Sequence, residues 1–174
     1  MKRMICVLIV MSLSLPALAQ VADTTSLTKV GQAVPSFAAT TLEGKVMKMS
    51  ELKGKVVLIN FFATWCGPCM GEMPRVEKEI WQHLKSDTFV VLAVGREHTK
   101  DELIKFNKEK GFTFHIAPDP KREIYKLFAK QFIPRNYVIG KDGTIVYQGM
   151  GYTTEEFGKM VELIKAKLKE ASSL

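Results

Sequence analysis

The pattern in this chain best suited to chemistry is Trp65-Cys66-Gly67-Pro68-Cys69, two cysteines separated by two residues. Sulfurs at that spacing can form a disulfide and exchange it with another, or act together as soft ligands for copper or zinc. They follow Val56-Val57-Leu58-Ile59-Asn60-Phe61-Phe62, a continuous apolar run typical of a strand buried on both faces, and precede a helical pattern. A cysteine at a helix start meets unpaired backbone N–H groups and the positive end of the helix dipole, both of which favour thiolate. Free cysteine titrates near about 8.5 and such sites lower it to about 3.5–7.5, so a nucleophilic sulfur at neutral pH is expected. Cys66 should be accessible and Cys69, one turn in, more shielded. A two-step exchange follows, in which Cys66 opens a substrate disulfide and Cys69 resolves the mixed disulfide.

The other residues with chemical potential receive blander readings. Cys6 lies within an amino-terminal apolar stretch and ahead of where a lipidated cysteine would stand. His98 and His115 could join Cys66 and Cys69 in a metal site, but zinc sites usually need a second closely spaced ligand pair and the sequence offers none. No metal or cofactor is expected. His83 reads as a surface or core histidine, and Trp81, Met70, Met73 and Met160 as core at helical spacing.

The elements that must position the pair follow from pattern and punctuation. Residues 34–52 suggest a short hairpin turning at Glu43-Gly44-Lys45. Residues 70–84 carry Met73, Val76, Ile80 and Leu84 at helical spacing, with Pro74 predicting a kink near Met70. Residues 89–94 read as a second buried strand. A capping box, Thr99 with Glu102, opens a helix that Gly111 stops. Residues 112–116 read as a short strand, and Asp119-Pro120 as the start of a helix burying Ile124, Leu127 and Phe128. Residues 136–140 and 144–148 form a hairpin through Asp142-Gly143, and Thr153 with Glu156 caps a last helix. The alternation predicts an α/β fold, a central mixed sheet flanked by helices.

With these elements in place, Trp65-Cys66-Gly67-Pro68-Cys69 resembles the thioredoxin active site, and the longer run from Lys53 to Trp65 is similar to the exported TlpA/ResA-like branch of that superfamily. The resemblance covers residues 34–168 and implies a thioredoxin fold with an amino-terminal β-hairpin extension and thiol-disulfide oxidoreductase activity. It implies that Pro134 is a cis-proline facing the cysteines, and that Trp65, Gly67, Pro68, Ile133 and Pro134 meet the substrate chain. Gly67-Pro68 resembles the dipeptide of reducing thioredoxins. Asn60 stands where thioredoxins carry a buried aspartate, so a different carboxylate is expected near Cys69, and Glu97 is the candidate proton acceptor. Arg135 departs from the threonine usual in exported relatives and could favour an acidic partner. Peroxiredoxins share the fold, but their threonine-x-x-cysteine spacing is missing, since Thr64 is only two residues before Cys66.

Composition agrees with one soluble globular domain: 174 residues, 47% hydrophobic and 25% charged. Lys2 and Arg3, the apolar residues 4–15 and Ala17-Leu18-Ala19 read as a cleaved signal peptide over 1–19, followed by a flexible lead-in over 20–33 and the thioredoxin-like domain over 34–174. Cleavage would remove Cys6 and leave one close pair, which staples little chain and is better explained by redox work. The net charge of +7 is spread among interspersed Lys and Glu, which argues against nucleic-acid binding. The expected setting is therefore the periplasm, with disulfide-containing exported proteins as substrates, a membrane thiol donor as reductant, and a monomeric enzyme.

Overall fold

The structure, a computed structural model, describes residues 23–170. The expected signal peptide and residues 20–22 lie outside them. A hairpin of β1 (Ala38–Thr40) and β2 (Val46–Lys48) comes first, then β3 (Val56–Phe62) and α1 (Gly67–Arg75). A π-helical stretch, Val76–Trp81, leads into α2 (Gln82–Leu84). After these come β4 (Phe89–Arg96), α3 (Lys100–Lys110), β5 (His115–Asp119), the hairpin of β6 (Arg135–Ile139) and β7 (Ile145–Met150), and α4 (Thr154–Lys169).

The five-stranded sheet has the order β5-β4-β3-β6-β7, with β3 parallel to β4 and antiparallel to β6. All seven residues of β3 are buried, and their alternation feeds two cores. Val56, Leu58 and Phe62 pack with Met73, Ile80, Leu103, Phe157 and Ile164 from the helices. Val57, Ile59 and Phe61 pack on the other face with Met47, Tyr125, Phe128 and Tyr137. This is the expected mixed sheet with a hairpin ahead of it, and β3 at its centre ends where the cysteines begin.

Local signals act largely as their chemistry requires. The Thr99 hydroxyl accepts from the Glu102 amide, the Glu102 carboxylate accepts from the Thr99 amide, and Gly111 closes α3 at φ 71°. The Thr153 hydroxyl caps α4. Pro74 sits inside α1 without ending it, and the irregularity falls beyond it, in the π-helical stretch, rather than near Met70. Proline removes only its own N–H, and buried Met73, Val76 and Ile80 hold both sides of the helix to the sheet. Asp119 does not open a helix. It ends β5, and its carboxylate accepts from the Ile124 and Tyr125 amides, so the segment closes into a short 3-10 turn, Tyr125–Leu127, with Tyr125 buried and Leu127 exposed.

The lead-in expected to be flexible is tied down over residues 23–33. The Leu27 amide donates to the Phe128 carbonyl (2.8 Å), the Gly31 amide to Ile145 (2.8 Å), and the Lys130 amide to Thr25 (2.8 Å). Arg135 supplies the clasp. Its guanidinium, 1% exposed, donates to Ser26 Oγ (2.7 Å), Asp23 Oδ2 (3.2 Å), Thr25 Oγ1 and the Gln131 carbonyl (3.1 Å). Arg135 therefore faces inward and offers nothing to an acidic partner, because a buried guanidinium must satisfy its donors within the protein. Hydrogen bonds to charged groups are worth about 1.5–3 kcal/mol each, so Arg135→Met should speed tryptic cleavage after Lys29 by about tenfold or more in the folded protein. An unchanged cleavage rate would mean that the clasp does not hold the segment.

Candidate active site

The sheet presents the sulfurs at the end of its central strand. After β3, the Cys66 amide donates to the Ala63 carbonyl (3.1 Å), turning the chain, and Cys66 becomes the N-cap of α1. Pro68 falls in the first turn, where its missing N–H costs nothing. The Thr64 amide donates to Nε2 of buried His98 (3.0 Å), which steadies the turn from the β4 side. A disulfide joins Cys66 and Cys69, and the Cys69 amide donates to Cys66 Sγ (3.2 Å). Cys66 retains 6% exposure and Cys69 none. The sulfur at the helix start is thus the one an outside reactant can meet.

Opposite the pair, the Ile133–Pro134 peptide bond is cis, and the Ile133 carbonyl oxygen lies 3.8 Å from Cys66 Sγ. A groove of about 640 Å³ opens here, lined by Trp65, Cys66, Gly67, Pro68 and Ile133 together with residues of the neighbouring loops. Trp65 stands 63% exposed at its edge. Of the residues singled out from sequence, Trp65, Cys66, Cys69, Gly67, Pro68, Ile133 and Pro134 are brought together. Glu97 is not a buried carboxylate beside Cys69. Its backbone is left-handed (φ 65°) and its half-exposed side chain is held by Arg96 (3.0 Å) and Arg122 (3.7 Å).

The buried carboxylate is Glu72. On α1, Cys69 and Glu72 are three residues apart, neighbours on one helix face with Cβ atoms about 5–6 Å apart at such a spacing. Glu72 is 2% exposed. Asn60 Nδ2 donates to its Oε2 (2.9 Å) and Asn136 Nδ2 to its Oε1 (2.6 Å). Asn60 and Asn136 are register partners on β3 and β6, and Asn60 Nδ2 also reaches Asn136 Oδ1 (2.8 Å). Burial pushes the Glu72 carboxyl up from 4.5 to about 7, against the downward pull of the Asn136 and Asn60 amides. A carboxyl in that range can take or give a proton at neutral pH. Its sequence signal was an acid three residues after Cys69, beside Met73 of the apolar stripe. Among the described residues, no group of three or more His, Cys, Asp or Glu is placed to hold a metal ion.

Comparison with known proteins fits this arrangement. Residues 30–148 match the model of the AhpC/TSA family. Thiol-disulfide oxidoreductase ResA of Bacillus anthracis is 34% identical over 128 residues, 74% of this chain and 73% of that protein. ResA of Bacillus subtilis is 31% identical over 125 residues, 72% of this chain and 69% of that protein. Among solved structures, a candidate protein disulfide isomerase from Bacteroides thetaiotaomicron superposes with TM-score 0.79 at 34% identity, covering 83% of this chain and 93% of that one. StoA from Bacillus subtilis superposes with TM-score 0.63 at 27% identity, covering 75% and 99%. The fold is that of thioredoxin.

The position of Glu72 has a consequence for stability. An acid whose folded-state pKa lies above its unfolded value stabilises the fold most when protonated. Its contribution is complete below about 4.5 and is lost as pH rises to about 7, a loss of about 3 kcal/mol. Glu72→Gln has no proton to lose, so between pH 4 and 8 the oxidised variant should escape that part of the decline in unfolding free energy measured with denaturant. Equal declines in both proteins would contradict the burial of an ionisable carboxyl.

Proposed function

The chain belongs to the AhpC/TSA family, and from that premise we propose that it is a periplasmic thiol-disulfide oxidoreductase that reduces disulfides of exported proteins. The observation that carries this reading is the unequal setting of the two sulfurs, Cys66 at the groove against the Ile133 carbonyl and Cys69 wholly enclosed behind it. Trp65, Gly67, Pro68, Ile133 and Pro134 are the residues that meet the substrate chain.

In the reduced protein, the Cys66 thiolate attacks one sulfur of a substrate disulfide. A Cys66–substrate S–S bond forms as the substrate bond breaks, and the first substrate sulfur leaves and takes up a proton. Cys69 then gives its proton to Glu72 and attacks Cys66, releasing the second substrate sulfur. The substrate has gained two electrons, and the protein is left with the Cys66–Cys69 disulfide. A thiol donor at the membrane returns the electrons. Glu72 suits the second step because an enclosed thiol cannot lose its proton to bulk water, and Gly67-Pro68 supports the reducing direction. The basic, apolar amino-terminal residues support export. Among the described residues, no helix is long and apolar enough to cross a membrane.

Insulin reduction driven by dithiothreitol tests the assignment. Cys66→Ser should lose catalysis to the uncatalysed rate, and retained activity would remove Cys66 as nucleophile. Cys69→Ser should accumulate mixed disulfides with periplasmic proteins, since attack survives and resolution does not. For Glu72→Gln, resolution at pH 7 should slow by about 10²-fold and the inflection near pH 7 should disappear from the rate profile. A wild-type profile in this variant would exclude Glu72 as the proton acceptor.

A further inference from the structure

Beside Cys66 the groove is lined by three cations, Arg96, Arg122 and Lys130, with exposed Trp65 and Phe132 among its walls. The cations are placed by specific contacts. Arg96 lies over the Trp65 ring (5.6 Å to the centroid) and the Tyr125 ring (5.2 Å), while its Nε and Nη2 donate to Glu97 Oε2 (3.1 and 3.0 Å). Arg122 lies over the same Tyr125 ring (5.2 Å), donates to the Lys130 carbonyl (2.6 Å) and stands 3.7 Å from Glu97 Oε1. One carboxylate therefore serves two arginines, and Lys130 is exposed beside them. The edge of the groove keeps a net positive charge.

The backbone adds an independent observation. Among the described residues, three non-glycine residues have positive φ: Glu97 (65°), Arg122 (58°) and Phe132 (70°). Arg122 and Phe132 line the groove, and Glu97 follows Arg96, which also lines it. Each left-handed non-glycine residue costs about 1 kcal/mol or more and persists only where its surroundings hold it. Here the held conformations carry the Glu97 carboxylate that serves both arginines, Arg122 itself and the exposed Phe132 ring. The Phe132 carbonyl accepts from the Tyr125 hydroxyl (2.5 Å), which fastens that loop to the ring beneath both arginines.

We propose that this groove selects disulfides flanked by a carboxylate side chain, the acid meeting Arg96, Arg122 and Lys130 while the neighbouring apolar residue packs on Trp65 and Phe132. The occupant is an extended segment of the disulfide-bonded protein substrate, so the inference rests on the exchange reaction proposed above. Glu97 has a positioning role in it, holding two guanidinium groups at the rim rather than moving a proton.

The test uses oxidised peptides alike except for Asp, Asn or Lys next to the half-cystine, and reads kcat/KM for the dithiothreitol-driven reductase. The wild type should prefer the Asp to the Lys peptide by about fivefold or more in dilute buffer, and salt should erase most of the preference. Lys130→Glu and Arg122→Glu should each lower the Asp/Lys ratio. Lys165→Glu, at the other end of the sheet near Ser86, changes net charge equally and should preserve the ratio. A ratio near one in the wild type overturns the inference and leaves the exchange reaction standing. A ratio that falls as much in Lys165→Glu as in Lys130→Glu assigns the preference to overall charge and also overturns it. Turnover of no peptide overturns both readings.

Discussion

Glu72 is buried, and among the described residues only the side-chain amides of Asn60 and Asn136 meet its oxygens. Two neutral donors soften the desolvation of a carboxylate without cancelling it, which is why its pKa settles near neutrality instead of deep in the acid range. A third donor or a cation in contact would pull it back down; removal of the amides would drive it further up. The register of β3 with β6 sets this balance by bringing Asn60 and Asn136 opposite each other beneath α1.

The same constraint orders the rest of the site. Because β3 is buried on both faces, its end is rigid, and the helix that starts there inherits a fixed direction. Cys66, Cys69 and Glu72 follow at intervals of three along that helix, from the groove to the interior. The Cys66 sulfur faces the Ile133 carbonyl and keeps slight exposure, while Cys69 and the Glu72 carboxyl are both enclosed. Arg135, next after Pro134, turns the other way and holds residues 23–26. One short stretch thus faces the sulfurs with one residue and anchors the amino-terminal segment with another.

Much of this was legible in the residues themselves. The buried run 56–62, the capping box at Thr99, the N-cap at Thr153 and the Asp142-Gly143 turn are local signals, and each produced its element. Long-range placement was not legible. Asp119 looked like a helix cap because its distant partners, the Ile124 and Tyr125 amides, leave no periodic trace. Glu97 looked apt because it follows a strand near the pair, yet its carboxylate turns to two arginines. Glu72 is hidden in the sequence, because an acid beside a stripe of Met73, Val76 and Ile80 reads as solvated unless the asparagines of β3 and β6 that face it are known. Residues 23–33 carry no hydrophobic period, and their order comes from backbone hydrogen bonds to residues 128–145 and from the Arg135 contacts, which local sequence does not show.

The carboxyl one turn beyond Cys69 changes its charge near neutral pH. The most direct measurement is the carboxyl-carbon NMR shift of labelled Glu72 against pH in the oxidised protein, with Glu72→Gln assigning the signal. A midpoint near 7 is predicted. A midpoint near 4.5, the ordinary glutamate value, would contradict the account.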